Sequence, residues 1–140
     1  MIPIAAAIVE RLSGMDYLQR TLAKYGDSKG LAIFTASSIP EDATYPYVWS
    51  PAEYQAIDYD AKNAALATLF RDVSVYAIDA GSDQVVEELA WCIRRALHKQ
   101  PLRLDVDQNV VLNAAPPIVA PTADGILGRL VQLRLVISEG

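Results

Sequence analysis

Three segments of the chain carry apolar residues at helical spacing. The pattern predicts helices over residues 3–13, 15–25 and 83–98, because positions three and four residues apart fall on one face of a helix. The third segment is the most regular and predicts an amphipathic helix. In chain order the apolar stripes are Ile4, Ile8 and Leu12; then Met15, Leu18, Leu22 and Tyr25; then Val86, Leu89, Ala90, Ile93 and Leu97.

Charges and stop signals mark the two ends of the 83–98 helix. Acidic residues lie in its first turns and basic residues in its last, which complements the helix dipole. Ser82 is a candidate N-cap. Pro101 is expected to prevent the helix from continuing.

Other segments are rich in β-branched and aromatic residues or alternate apolar with polar positions. They predict strands over residues 31–36, 46–49, 67–78, 106–113 and 127–138. Between the second and third of these, residues 53–63 turn polar, which predicts a long hairpin tip or a mobile loop. The order α-α-β-β-β-α-β-β predicts one α+β domain over residues 1–140, a mostly antiparallel sheet packed with helices.

Composition narrows the classes of partner. The chain has 17 acidic and 12 basic residues, a formal charge of -5. This balance argues against binding nucleic acid by neutralising phosphates, and against attraction to an anionic membrane surface. A single cysteine excludes an internal disulfide and a multi-cysteine metal site. No apolar run is long enough to cross a bilayer.

Residue types that carry catalysis are sparse. Cys92 and His98, the only cysteine and the only histidine, are six positions apart on one helix, so their side chains cannot readily meet. Asp58 and Asp60 share a polar segment that offers no third ligand of the usual kind. The sequence therefore predicts no catalytic residue, no metal site and no cofactor.

Aromatic residues suggest contacts with other proteins instead. Trp91 projects from the polar side of the 83–98 helix, and a large aromatic side chain on a polar face is a mark of a protein interface. The alternative is that Trp91 packs under a loop of its own subunit. Tyr54, Asp58 and Tyr59 are the candidates for a contact made by the hairpin.

The order of these parts resembles that of the small tail-completion, or tail-terminator, proteins of long-tailed bacteriophages and gene transfer agents. After the N-terminal helix, residues Ile39–Val48 read IPEDATYPYV, which is similar to the family's pattern P-x-x-A-x-x-P-Y-V. A polar hairpin, a strand containing Val73–Tyr76, a helix that ends at Arg95–His98 and a final amphipathic strand follow. The resemblance covers nearly the full chain.

The resemblance implies a non-enzymatic structural protein of the virion, made in the host cytoplasm. Such proteins form a ring, typically a homo-hexamer, that caps the head-proximal end of the tail tube and stops its polymerisation. The implied partners are further copies of the chain, the major tail tube protein and a head-completion or neck protein. DNA would pass through the ring without specific binding, and no membrane is involved.

An acidic lumen would repel DNA and let it slide through such a ring. Glu53, Asp58 and Asp60 are the candidate lumen residues. Two alternatives to a terminator stay open: another head–tail connector, such as a stopper or neck protein, and a small cytoplasmic binding module with a concave apolar pocket. An enzyme ranks third, because it would need a site that the sequence does not show.

Overall fold

The structure is a computed structural model that describes residues 4–26, 30–52, 54–61, 64–100, 102 and 108–139, and only the backbone of 54–61, 64–67, 108–109 and 138–139. The described residues form three helices and nine strands. The helices are α1 (Ile4–Ser13), α2 (Asp16–Thr21) and α3 (Gln84–Leu97). The strands are β1 (Lys24–Tyr25), β2 (Gly30–Leu31), β3 (Ile33–Phe34), β4 (Tyr47–Trp49), β5 (Tyr54–Ala61), β6 (Ala64–Ile78), β7 (Gln108–Ala114), β8 (Ile118–Val119) and β9 (Ile126–Glu139).

Two long strands organise a seven-stranded sheet. β6 and β9 pair antiparallel along almost their whole lengths, from Ala65 opposite Glu139 to Ile78 opposite Ile126. β4 and β5 pair with β6, and β7 and β8 pair with β9. All of these pairings are antiparallel, whereas β3 runs parallel to β4. The expected α+β architecture with a mostly antiparallel sheet and a long β5–β6 hairpin is therefore confirmed.

The helices cover one face of this sheet, which we call the inner face. The apolar stripes of α1 and α3 share one cluster of buried residues with alternate residues of β4, β6, β7 and β9. Val73 and Val75 of β6 and Val131 and Leu135 of β9 are 0% exposed within it. The strongest sequence patterns therefore meet in a single core.

The opposite, outer face carries aromatic residues. Tyr47 of β4 lies opposite Tyr76 of β6, and their ring centroids are 5.5 Å apart. Tyr45 and Phe34 also contact Tyr47, at 4.9 and 5.8 Å, and Tyr25 contacts Phe34 at 5.0 Å. Burial, with a hydrogen bond to Tyr45, raises the pKa of Tyr47 to about 12. These rings pack against one another rather than against a helix.

Two expectations from the sequence are wrong in part. The helix expected over 15–25 ends at Thr21, because the Ala23 N–H donates to the Pro46 carbonyl and the chain continues as a strand. The segment expected as a hairpin tip or loop forms strand β5 instead. One extra residue on β5, between Tyr54 and Ile57, shifts its register with β6 and breaks the period-two pattern on which strand prediction depends.

Candidate interface site

Trp91 lies near the middle of α3 with 43% of its surface exposed. The Arg94 guanidinium is 5.8 Å from the centre of the indole ring, a distance at which a cation is attracted to the ring face. The exposure agrees with the sequence pattern and does not support packing of Trp91 under a loop of its own subunit. Its role in an interface stays a prediction.

The indole forms one wall of a groove between α2 and α3, which we call the Trp91 groove. Tyr17 donates a hydrogen bond from its hydroxyl to Glu88 Oε2 at 2.8 Å, and Gln84 Nε2 donates to Glu88 Oε1 at 3.1 Å. These two hydrogen bonds lower the pKa of Glu88, while burial and then the contact with Glu88 raise the pKa of Tyr17. The groove measures about 660 Å³ and is lined by Tyr17, Glu87, Glu88, Trp91 and Arg95.

A buried arginine holds the first turns of α3 against β9. Arg129 is 7% exposed, and its guanidinium donates to Glu87 and, at 3.0 Å, to Asp83 Oδ2. Both carboxylates are partly exposed, so the acidic start of the helix noted in the sequence is also a structural clamp. The expected N-cap, Ser82, is wrong by one residue, because Asp83 holds that position without a side-chain capping bond. Ser82 Oγ nevertheless accepts a hydrogen bond from the Gln84 N–H at 3.2 Å.

Two further arginines hold the end of the same helix. Arg94 Nε donates to the Ala114 carbonyl at the end of β7, at 3.0 Å. Arg11 Nε of α1 donates to the Ala96 carbonyl at 2.8 Å. Because α3 is tied at both ends, its exposed side has a fixed position relative to the sheet.

A second groove, with a mostly apolar lining, lies where α3 begins, and sequence reasoning missed it. We call it the Val85 groove. Ile78, at the end of β6, is 61% exposed and Val85 is 46% exposed. The groove measures about 220 Å³, and its other lining residues include Tyr45, Ala77, Ser82 and Leu127. Only one part of it was visible in the sequence: Val85, like Trp91, is an apolar residue outside the buried stripe of its helix, but the strand ends that complete the groove come from elsewhere in the chain.

The hairpin candidates lie on a different element from Trp91. Tyr54, Asp58, Tyr59 and Asp60 all fall on β5, which pairs with β6 and with no other strand among the described residues. Glu53 lies outside the described residues. The positions opposite these four on β6 are Phe70, Ala67, Leu66 and Ala65, respectively.

Cys92 and His98 have separate structural surroundings. Cys92 is 2% exposed in the core, and burial raises the pKa of its thiol. His98 Nδ1 accepts a hydrogen bond from the Ala114 N–H at 3.0 Å, which joins the end of α3 to β7. Partial burial, with Arg94 and Lys99 nearby, lowers the pKa of His98. One of the two imidazole nitrogens is thus engaged with the backbone.

Within the described parts of the chain, no group of three or more His, Cys, Asp or Glu side chains is placed to hold a metal ion. None of the described helices is long and apolar enough to cross a membrane. Beside α3 the described residues form two grooves, the Trp91 groove with a lining of mixed polarity and the Val85 groove with a mostly apolar one.

Comparison with known proteins gives matches among solved structures. No family model matches the chain, and no curated protein sequence does. A chain in the solved structure described as the virion of a native gene transfer agent particle does match, with a TM-score of 0.72. The two chains share one fold. The structural match covers 98% of this chain and 95% of the other, and therefore the whole fold, at 21% sequence identity.

Proposed function

We propose that this chain is a structural, non-enzymatic protein of a phage-like virion. More specifically, it acts as a tail terminator: identical copies of the chain form a ring that caps the head-proximal end of the tail tube. The ring stops tube polymerisation, contacts the major tail tube protein on one side and joins the head's neck protein on the other. DNA passes through it without specific binding.

The likeness in fold to a chain of a gene transfer agent virion carries this proposal, because it spans 98% of this chain and 95% of that one. The sequence resemblance through Ile39–Val48 points independently to the same class of virion proteins. The surface is compatible with a structural role, since apolar side chains are exposed beside α3, where a partner could cover them.

Two alternative functions make predictions that differ from those of a tail terminator. Another head–tail connector, such as a stopper or neck protein, would use similar surfaces but would not bind the tube end. A small binding module is favoured by one observation: the volume of the Trp91 groove, about 660 Å³, falls within the range of small-molecule sites. That alternative predicts a stable monomer or dimer with no affinity for tail tubes.

Native mass spectrometry of the purified chain tests the proposal, with and without divalent cations and supported by negative-stain images. The expected result is a closed homo-hexamer, six times the 15.2 kDa chain mass, that appears as a ring in the images. A chain that stays monomeric or dimeric, and that also ignores tail tubes, would contradict the proposal and favour the binding module.

The acidic-lumen hypothesis has its own test. Neutralising Asp58 and Asp60 together, as Asp58→Asn with Asp60→Asn, should leave the ring intact, because lumen residues make no subunit contact. Loss of the ring would contradict the lumen assignment and place these residues in an interface instead.

A further inference from the structure

We infer that the outer face of the sheet carries a binding site for a carboxylate attached to an apolar body. The site is a hollow that we call the Arg134 pocket, and its lining includes Phe70, Asn113, Ala115, Gln132 and Arg134. It measures about 400 Å³, within the range of about 300–1,000 Å³ that is typical of small-molecule sites. The inference goes beyond the proposed ring and does not depend on it.

The register of the sheet brings the functional groups of the pocket together. Phe70 of β6 and Asn113 of β7 both lie directly opposite Arg134 of β9. Side chains opposite one another stand on the same face, with their Cβ atoms about 4.5–5.5 Å apart. Gln132 is two positions before Arg134 on β9 and therefore faces the same side. Strand pairing thus gathers one aromatic ring, two amides and one guanidinium.

Two prolines interrupt the edge strand beside the pocket. The Ala115 N–H still donates to the Gln132 carbonyl at 3.0 Å, but Pro116 and Pro117 have no N–H to donate. β7 therefore ends at Ala114, and pairing with β9 resumes only in β8. This gap in the edge strand leaves one side of the pocket open to a ligand.

The guanidinium of Arg134 is available to such a ligand. It is exposed and forms no ion pair or side-chain hydrogen bond with another described residue, whereas Arg94 and Arg129 hold α3 in place through theirs. Asp72, an acidic residue on the same face of β6, lies opposite Gln132 rather than Arg134. Among the described residues, no other charged side chain lines the pocket, so the group that fits beside the guanidinium is an anion.

The rest of the lining selects among anions. A guanidinium donates two parallel N–H···O bonds to a carboxylate, and the amides of Asn113 and Gln132 can each donate another. Phe70 and the alanines offer apolar contact, which an inorganic anion or a nucleic-acid phosphate would not use. The ligand chemistry is therefore a carboxylate on an aromatic or aliphatic body. Two sources carry it: the C-terminal residue of a polypeptide and a free organic acid.

Binding of two probes to the full-length chain tests the inference. One probe is phenylbutyrate and the other is a short peptide that ends in phenylalanine with a free carboxylate. Their controls are phenylbutyramide and the same peptide with an amidated C-terminus, and acetate serves as a carboxylate without an apolar body. Ligand-observed NMR measures each dissociation constant, and it works for a monomer or for a ring.

Three variants locate the binding, with folding checked by circular dichroism. Arg134→Gln removes the charge, Arg134→Lys keeps the charge without the two parallel donors, and Arg20→Gln is the matched control at an exposed arginine on α2. In wild type, the better-binding probe should bind at least about tenfold more tightly than its own amide and than acetate. Arg134→Gln should abolish this preference, Arg134→Lys should restore part of it, and Arg20→Gln should leave it unchanged.

Contrary outcomes are equally specific. Equal binding of carboxylate and amide, or no binding of either probe up to about 10 mM, would overturn the inference. A preference for the carboxylate that persists in Arg134→Gln would also overturn it, because the anion would then bind elsewhere. When the inference holds, tighter binding of the peptide acid assigns the pocket to the C-terminus of a partner chain. Equal or tighter binding of phenylbutyrate assigns it to a free acid.

Discussion

The two faces of the central sheet differ in what covers them. On the inner face, aliphatic side chains such as Val131 are fully buried under α1 and α3. On the outer face, aromatic rings contact one another and, apart from Tyr47, remain partly exposed. The difference indicates that the inner face supplies most of the fold's stability. The outer face and the exposed side of α3 are left available for contacts with other proteins.

The largest expected effect is a difference in stability loss when valine is replaced by alanine on each face of the sheet. Val131→Ala removes buried methyl groups from the inner face and should lower the free energy of unfolding by about 2 kcal/mol. The same change at Val111, which is 55% exposed on the outer face, should cost less than about 0.5 kcal/mol. Urea unfolding of the two variants measures the difference. Equal losses would contradict the assignment of stability to the inner face.

A smaller loss of stability is expected from a substitution at a tightly packed position of the outer face, Gly128. Gly128 of β9 lies opposite Tyr76, and an added Cβ would come within 2.7 Å of Thr122 Cγ2 and 3.0 Å of the Tyr76 ring. Gly128→Ala should therefore destabilise the chain by about 1 kcal/mol, the lower end of the cost of overpacking, because the exposed Thr122 side chain can move aside. Thr122→Ser deletes the nearest methyl group and keeps the hydroxyl that donates to the Ile126 carbonyl. In that background the cost measured by thermal unfolding should fall. An unchanged cost would assign the clash to Tyr76.

The smallest effect is a pH dependence at the end of α3. The pKa of His98 lies below its ordinary value of 6.5, so the unfolded chain takes up a proton at a higher pH than the folded chain does. Stability from the His98–Ala114 hydrogen bond is fully present above pH 6.5 and declines as pH falls through the lowered pKa. His98→Asn keeps an acceptor near the Nδ1 position and does not titrate. The free energy of unfolding of wild type, measured between pH 5 and 7, should fall as the pH is lowered, and this fall should be smaller in the variant.

Long periodic elements were predictable from the sequence. The stripe from Val86 to Leu97 predicted α3 to within one residue at each end, and the alternation over 127–138 predicted β9. In these segments each local preference agrees with the tertiary packing. The strand expected over 67–78 begins earlier, at Ala64, because the helix propensity of the Ala-rich residues Ala64–Ala67 is overridden by pairing with β5 on one side and β9 on the other.

Short elements and the second groove were not predictable, because they depend on distant residues. β1 exists because the chain after Leu22 pairs with β2 and donates to Pro46, and no local pattern contains that information. Trp91 could be identified because its own helix defines the exposed side. The Val85 groove needs the ends of β6 and β9 beside α3, so only the folded chain brings it together.

Binding to tail tubes tests the central claim most directly. Purified phage-like tail tubes that lack their cap are incubated with the gold-labelled chain and imaged by electron microscopy. Free tube protein is then added, and the elongation of the tubes is followed. The expected result is label at one end of each tube and no further growth from that end. Neck protein added afterwards should bind at the same labelled end. Label along the tube walls, or tubes that stay unlabelled and keep growing, would contradict the account.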